Sequence, residues 1–280
     1  MMDTRDPLSN VDWLTEHFGL LFAAADPQQQ FYAWVMFFAV AGFPLWFVGY
    51  SLYTLARKRW YNISPAALFA TAFHAGWMRP MPGTWGSLFA VWLLVGLIFA
   101  PKETSLSAGM IPIILFAATI LVIPLGTWAS ELYVRHTKKE DPSEVVIDEV
   151  AGIFVAASVV AAGFIALVMS DAVTFTPFLF LWPAYLAVIF LLFRIFDITK
   201  PWIIGRADRN IKGGWGIMAD DLLAGLAAGL VFWLIFAAMY HSGGFLWIFK
   251  TYFPDWVGPA PTTPLPESAP VPGALKLLGQ

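Results

Sequence analysis

The sequence predicts an all-α protein, a polytopic transmembrane helical bundle of about six spans. Two features of the 280-residue chain indicate this class. Hydrophobic residues make up 59% of the chain and charged residues only 12%, whereas soluble domains carry about 25% charged residues. The apolar residues also occur in long runs, and a membrane-spanning helix needs about 20 of them in succession.

Six runs approach this length. The second run is short for a complete crossing unless the preceding loop also enters the membrane interface. The six predicted spans are Phe31–Ala56, Ser87–Ala100, Met110–Tyr133, Val150–Met169, Phe178–Phe196 and Leu222–Tyr240.

These spans divide the chain into four regions. An acidic N-terminal segment (1–30) precedes the first span and its basic loop (31–62), and a membrane domain follows at 63–242. Region 243–280 begins with an apolar stretch, Phe245–Phe253, which is too short to span and is predicted to lie along the interface. Seven prolines then fall within 254–273, a composition typical of disorder.

The positions of lysine and arginine predict the orientation. Loops 57–86, 134–149 and 197–221 share one side of the membrane and, together with Arg194, hold twelve of the 16 basic residues. Because positive charge accumulates on cytoplasmic loops, this side is predicted to be cytoplasmic, with both termini outside. Every polar segment considered below lies on that side, so one site formed by several loops is expected there.

Composition also excludes several function classes. The chain has no cysteine, which removes disulfides, thiolate metal sites and cysteine nucleophiles. Its four histidines show no zinc-site spacing, so a zinc hydrolase is not expected. The acidic start is not a signal peptide. The net charge of −3 gives no reason to expect a nucleic-acid partner.

The polar segment from Arg194 to Asp221 stands between two predicted spans. It carries nine charged side chains and four glycines. Ionisable groups beside hydrocarbon are costly and usually serve a function. Carboxylates are suited to a divalent cation, and lysine and arginine to a phosphate. The segment therefore suggests chemistry on an anionic substrate at a membrane surface.

A second polar segment, Pro80–Ser87, leads directly into a hydrophobic helix. Gly83 and Gly86 permit a tight turn, and Thr84 and Ser87 provide hydroxyls or an N-cap. The free N–H groups at a helix N-terminus suit a phosphate. A plain capped turn is an equal alternative, and the spacing is not that of a P-loop.

Two pairs of acids each open a predicted span. Asp148 and Glu149 precede one helix, and Asp220 and Asp221 precede another. If the two helix starts face each other, they supply the hard oxygen ligands that Mg²⁺ prefers. The alternative is favourable pairing of acids with the helix dipole, worth about 0.3–1 kcal/mol.

Further polar residues lie between these pairs. At about 100° per residue, Arg194, Asp197 and Lys200 share an arc of roughly 120° on one helix, either as a functional stripe or as an internal salt-bridge ladder. The glycines after Arg209 present N–H groups to an anion or form a solvated loop. Gly225 and Gly229, in contrast, predict close helix packing.

Four segments together resemble the phosphatidylglycerophosphatase A family of bacterial membrane phosphatases. They are PGTWGS (82–87), DEVAG (148–152), FRIFDITKPWII (193–204) and DRNIKGGWGIMADDLLAG (208–225), and the resemblance covers roughly 65–242. It implies a Mg²⁺-dependent hydrolase that removes the terminal phosphate from phosphatidylglycerophosphate. It also implies a multi-pass protein of the bacterial inner membrane with a phospholipid as its partner. The first span and the proline-rich tail have no counterpart.

By the same resemblance, five acids form the catalytic and metal-binding set: Asp148, Glu149, Asp197, Asp220 and Asp221. We expect Mg²⁺ among Asp148, Glu149, Asp220 and Asp221, with catalytic roles for Asp148, Asp197 and Asp221. Asp197 is the candidate base or nucleophile, and the sequence does not separate these roles. The expected phosphate ligands are Thr84, Ser87, Arg194, Lys200 and Arg209.

Other functions fit less well. No phosphate-binding motif surrounds any histidine, as a histidine-type lipid phosphatase would need, and the DGxxAR motif of CDP-alcohol transferases is missing. A cation transporter or channel is the alternative from outside enzymology. It predicts acids at mid-membrane, whereas these acids cluster at span ends. A purely structural protein would not need so many ionisable groups on one face.

Overall fold

The structure, a computed structural model, describes residues 42–57, 64–103, 109–169 and 182–244. Within these ranges the regular secondary structure is entirely helical, which confirms the predicted all-α class. A 3-10 turn, Ala75–Trp77, lies between the helices Pro65–Ala70 and Pro82–Glu103. The α-helices are α1 Phe43–Arg57, α2 Pro65–Ala70, α3 Pro82–Glu103, α4 Met110–Thr137, α5 Ile147–Met169, α6 Trp182–Thr199, α7 Ile203–Asn210 and α8 Gly213–His241.

Three helices in the described ranges are long and apolar enough to cross a membrane. They are α4, α5 from Ile147 to Leu167, and α8. They match three of the six predicted spans, and the apolar part of α3, Pro82–Ile98, is shorter. Helix α6 begins at Trp182, and the earlier part of its predicted span lies outside the described residues.

The predicted N-terminal segment, most of the first span, the interfacial stretch and the proline-rich tail also fall outside the described residues. Two compact units divide the chain at Trp233 and Leu234. All the residues of the candidate site belong to the first unit, Met1–Trp233.

Helix α5 is the central helix of the first unit. It packs against α3, α4 and α6, and its glycines contact α8. Half of the residues in the most apolar stretch of α5 are buried, against 17% of those in the corresponding stretch of α4. Its sequence is apolar on all faces, as expected of an enclosed helix. Residues at its start are therefore held from several sides.

Glycines bring α5 and α8 into backbone contact. A Cβ added at Gly225 would meet the carbonyl oxygen of Gly152 and would lie 2.8 Å from its carbonyl carbon. One turn further along α8, a Cβ at Gly229 would lie 2.7 Å from Cβ of Val159. The predicted packing role of Gly225 and Gly229 is thus confirmed.

The turn that follows α2 supports the start of α5. Ala72, Phe73 and His74 have φ angles of 44°, 54° and 77°, an unusual left-handed run for residues with side chains. Just before the turn, Ala70 O accepts a hydrogen bond of 2.9 Å from Val146 N. The connection between α4 and α5 is thereby fixed immediately before the first acids of the site.

Candidate active site

The acid cluster comprises Asp148 and Glu149, in the first turn of α5, and Asp221 in α8. One carboxylate oxygen from each residue lies within 4.8 Å of the other two. Asp148 Oδ1 and Glu149 Oε2 are buried and have no hydrogen-bond partner among the described residues. The two predicted acid pairs therefore do converge, through three of their four carboxylates. The prediction that Asp220 and Asp221 open a helix is wrong, because α8 begins at Gly213 and the two acids lie about two turns inside it.

The glycine contact between α5 and α8 places these acids together. Gly152 lies one turn after Asp148, and a Cβ added there would stand 2.7 Å from the backbone oxygen of Asp221. The same Cβ would also strike the ring of Phe193 on α6. A side chain at this position would therefore separate the helices that carry the cluster.

The donor set fits a hard divalent cation such as Mg²⁺. Three carboxylates this close together repel one another, and a charge without a counter-ion is costly here because Asp221 is buried and Asp148 and Glu149 are half-buried. Mg²⁺ binds carboxylate oxygens and fits such a site because it compensates this charge. The unpartnered oxygens of Asp148 and Glu149 are the atoms available for such an ion.

Arg194 and Asp197 form an ion pair on α6 at the edge of the cluster. Arg194 Nη1 donates a hydrogen bond of 2.5 Å to Asp197 Oδ2, and both side chains are only 15% exposed. The carboxyl of Asp197 lies beside that of Asp221. Arg194 also lies close to Glu149. The predicted base or nucleophile thus adjoins the predicted metal ligands.

The N-terminus of α3 reaches the same place. A Cβ added at Gly83 would meet Glu149 Oε1 and would lie 3.2 Å from Arg194 Nη1. Because α3 begins at Pro82, the N–H groups of Gly83 and Thr84 have no acceptor within the helix. A pair of free amides, an arginine and the acid cluster therefore converge, an arrangement suited to a phosphate.

Ser87 does not have the position that the sequence suggested. It lies one turn inside α3 and not at the N-cap, and it is fully buried. Its hydroxyl donates a hydrogen bond of 2.9 Å to Gly83 O. The interpretation of Ser87 as a cap is wrong, because the helix starts earlier, at Pro82. Thr84, in contrast, is partly exposed in the first turn.

Lys200 leaves the stripe that the helical spacing predicted. It follows the end of α6 with a φ of 42° and directs its ammonium group between two carboxylates. Its Nζ lies 2.6 Å from Asp208 Oδ1 and 2.6 Å from Asp220 Oδ2. Burial alone lowers the pKa of Lys200, but these hydrogen bonds raise it above its ordinary value.

Asp220 therefore faces Lys200, although it remains close enough to Asp148 for their charges to interact. The continuous ladder of Arg194, Asp197 and Lys200 does not form. Only the first two pair with each other, because the chain turns at Lys200 before Pro201.

A polar groove of about 500 Å³ opens beside the acid cluster. Its lining includes Asp148 of the acid cluster, Asp220, and Arg209 at the end of α7. Its charged lining residues are Glu140, Asp141, Asp148, Asp208, Arg209, Lys212 and Asp220. Arg209 is thus placed in this groove, away from the ion pair of Arg194.

Two residues that support the candidate site were not predicted from the sequence. Glu131, in α4, accepts a hydrogen bond of 2.7 Å from Gly214 N and so anchors the N-terminus of α8, the helix that carries Asp221. Asp208 shares Lys200 with Asp220. The contact of Glu131 spans 83 residues and had no local signal, whereas Asp208 lay within a segment already recognised as polar.

Comparisons with known proteins identify the family of this chain. Residues 68–236 match the model of the family described as Phosphatidylglycerophosphatase A. A protein of that name from Haemophilus influenzae is 32% identical over 64% of this chain and 91% of its own length. Another from Escherichia coli is 29% identical over 64% of this chain and 89% of its own length. A protein named putative phosphatidylinositol-3-phosphatase from Bacteroides thetaiotaomicron is 33% identical over 57% of this chain and 86% of its own length. No solved structure matches. The chain belongs to the phosphatidylglycerophosphatase A family.

Proposed function

We propose that this protein is a Mg²⁺-dependent lipid phosphatase that hydrolyses phosphatidylglycerophosphate to phosphatidylglycerol and phosphate. The observation that carries the proposal is the convergence of three groups in one place. These are the acid cluster, the Arg194–Asp197 pair and the free N-terminus of α3. Family membership and the names of the relatives supply the substrate.

Asp148, Glu149 and Asp221 would hold the cation, and Asp220 stands next to them as a further carboxylate. Mg²⁺, when bound, supplies positive charge that stabilises the phosphoryl group during transfer. Lys200 keeps Asp220 in place and neutralises its charge, so we assign Lys200 to positioning and not to direct phosphate binding.

The transferred phosphate is bound by Arg194 and by the amides of Gly83 and Thr84. The guanidinium of Arg194 presents several N–H donors, and the α3 N-terminus adds a positive dipole end. These donors are fixed before the reaction by helix packing and by the ion pair with Asp197. Such fixed donors stabilise charge that develops in the transition state.

Asp197 is assigned to the attack on phosphorus. As a base, it takes a proton from water while the water oxygen bonds to phosphorus, the ester P–O bond breaks and the leaving alcohol takes up a proton. As a nucleophile, its own oxygen bonds to phosphorus while the ester P–O bond breaks and the leaving alcohol takes up a proton, and water later hydrolyses the aspartyl-phosphate to phosphate and the free carboxylate. Acid quenching of single turnovers with ³²P-labelled substrate decides between them, since only the second route leaves label on the protein.

The acid cluster lies at the start of α5, which favours a phosphatase over the alternative, a cation transporter or channel. Asp148 and Glu149 lie in the first turn of α5, and their cluster adjoins an arginine that would obstruct cation passage. We accordingly place the site at the headgroup level of the cytoplasmic face of a bacterial inner membrane, in a multi-pass protein. The concentration of basic residues in the loops on that side supports this orientation.

The direct test is phosphate release by detergent-purified protein from a panel of phospholipids. We expect release from phosphatidylglycerophosphate to exceed release from phosphatidylinositol 3-phosphate, the substrate suggested by the name of the Bacteroides relative. Preference for the inositol lipid would keep the phosphatase and change its substrate. Cation flux through reconstituted vesicles without phosphate release would instead support the transporter.

A further inference from the structure

We propose that Arg209 and Lys212 form a second anion site, which binds the phosphodiester that joins the substrate headgroup to diacylglycerol. The inference rests on the proposed function and extends it to substrate selection. The proposed substrate carries two phosphates, a terminal monoester and an internal diester. Only the monoester has ligands so far, in Arg194 and the N-terminus of α3.

The groove connects the two sites. It has a volume of about 500 Å³, and Asp148 belongs both to its wall and to the acid cluster. Arg209 stands in the last turn of α7, and Lys212 stands in the short connection to α8. A headgroup with its terminal phosphate at the acid cluster would therefore extend along the groove toward these two cations.

The ion pairs in the groove leave the side chains of Arg209 and Lys212 available to bind an anion. Asp208 and Asp220 are both paired with Lys200 and not with Arg209 or Lys212. Of the other three acids, Asp148 belongs to the acid cluster, and Glu140 and Asp141 precede α5 on the connection from α4. Neither Arg209 nor Lys212 forms a recorded ion pair within the described part of the chain. The end of α7 and the α7–α8 connection thus form the basic wall of the groove.

The two walls suit different parts of one headgroup. Glu140 and Asp141 provide acceptors for the hydroxyl of the alcohol that links the two phosphates, and they repel an anion. The anionic diester is therefore directed to the wall of Arg209 and Lys212, where charged N–H donors are available. Lipids with only a monoester, such as phosphatidic acid, cannot use both sites.

Exposed tryptophans place this wall near the membrane interface. Trp202, at the start of α7, is 89% exposed, and Trp215, in the first turn of α8, is 49% exposed. Tryptophan favours the headgroup level of a bilayer. The diester of a phospholipid lies at that level, with its acyl chains still in the hydrocarbon.

The test compares the double variant R209Q/K212Q with the matched control R206Q. Arg206 is an exposed arginine on the same helix that does not line the groove. We expect the double variant to raise KM for phosphatidylglycerophosphate about fivefold to tenfold, the size expected for two exposed ionic contacts. Its kcat should stay within about twofold of wild type, since the monoester site is intact, and R206Q should match wild type.

Two further measurements separate a specific site from general attraction to anionic surfaces. Release from phosphatidic acid, at the same mole fraction in mixed micelles, should be unaffected by the double substitution. Soluble glycerophosphoglycerol, which has the diester but no monoester, should inhibit the wild type and R206Q and should not inhibit the double variant.

Each other outcome has a definite meaning. Equal losses with both lipids, an unchanged KM for phosphatidylglycerophosphate, or equal inhibition of all variants by glycerophosphoglycerol would overturn the diester site while leaving the phosphatase intact. If the wild type released phosphate from neither lipid, the proposed function and the inference that rests on it would both be overturned. Thermal unfolding of each variant shows whether a loss arises from misfolding.

Discussion

The contact between Gly152 and Gly225 makes a strong prediction for Gly225→Ala. The new Cβ would lie 2.8 Å from the carbonyl carbon of Gly152 and 3.0 Å from its Cα. Ordinary carbon contacts are about 3.5–4.0 Å, so α5 and α8 must separate by about 1 Å. Overpacking of this kind typically costs about 1–3 kcal/mol. The separation also moves Asp221 away from Asp148, so activity should fall further than stability.

Two other glycines provide graded controls. A Cβ at Gly96 in α3 has nothing within 4 Å, so Gly96→Ala should leave activity unchanged and leave stability equal or slightly higher. Gly229→Ala should be intermediate, because its closest contact, 2.7 Å to Cβ of Val159, is longer than the contact that Gly225→Ala would make with the carbonyl oxygen of Gly152.

The assay is thermal unfolding in detergent together with phosphate release from phosphatidylglycerophosphate. We predict that Gly225→Ala lowers kcat by at least about tenfold. The losses of stability and activity should increase in the order Gly96→Ala, Gly229→Ala, Gly225→Ala. If Gly225→Ala were as stable and active as Gly96→Ala, the close approach of α5 and α8, and the cluster that depends on it, would be wrong.

Three further substitutions test individual contacts. Asp221→Asn should reduce turnover by at least about a hundredfold. In EDTA its melting temperature should be no lower than that of wild type, because the substitution removes one of three carboxylates that repel one another. Near-normal turnover would refute the metal-site assignment. Arg194→Lys keeps the charge but loses the guanidinium geometry at Asp197, so kcat should fall about tenfold to a hundredfold; an unchanged kcat would exclude a direct role in phosphate binding. Lys200→Met removes the cation that pairs with Asp220, whose side chain is only 9% exposed. The substitution should lower the free energy of unfolding by about 1–3 kcal/mol. An unchanged melting temperature would show that this ion pair is not stabilising.

Local patterns predicted the helices and the convergence of the two acid pairs, although only Asp148 and Glu149 stand at a helix start. The apolar runs anticipated α4, α5 and α8, and the paired acids anticipated the cluster of Asp148, Glu149 and Asp221. These features depend on hydrophobic length and on neighbouring residues, which a single sequence displays directly. The small residues at Gly225 and Gly229 likewise anticipated close packing before any partner helix was known.

Features that depend on chain reversal were not predicted. Regular helical spacing put Lys200 beside Arg194 and Asp197, but the left-handed backbone at Lys200 turns its side chain to Asp208 and Asp220. Contacts between distant segments, such as Glu131 with Gly214, leave no mark on local sequence. The start of α3 at Pro82 was missed for another reason, since proline and glycine suggested a turn although proline is also favoured in the first helical turn.

Thermal unfolding with added Mg²⁺ distinguishes binding at the acid cluster from a general effect of salt. Binding to the folded state alone raises the melting temperature with ligand concentration. Wild type should therefore gain stability from millimolar Mg²⁺, whereas Asp221→Asn should gain much less. Equal gains in both proteins would mean that the cation binds elsewhere.

The central claim is that the acid cluster carries Mg²⁺-dependent hydrolysis of phosphatidylglycerophosphate. Its most direct test is phosphate release from that lipid by purified wild-type protein, measured with Mg²⁺, then with EDTA, then after Mg²⁺ is restored. We predict release that stops in EDTA and returns with Mg²⁺. Release that continues unchanged in EDTA would contradict the metal mechanism, and no release under any condition from folded protein would contradict the proposed substrate.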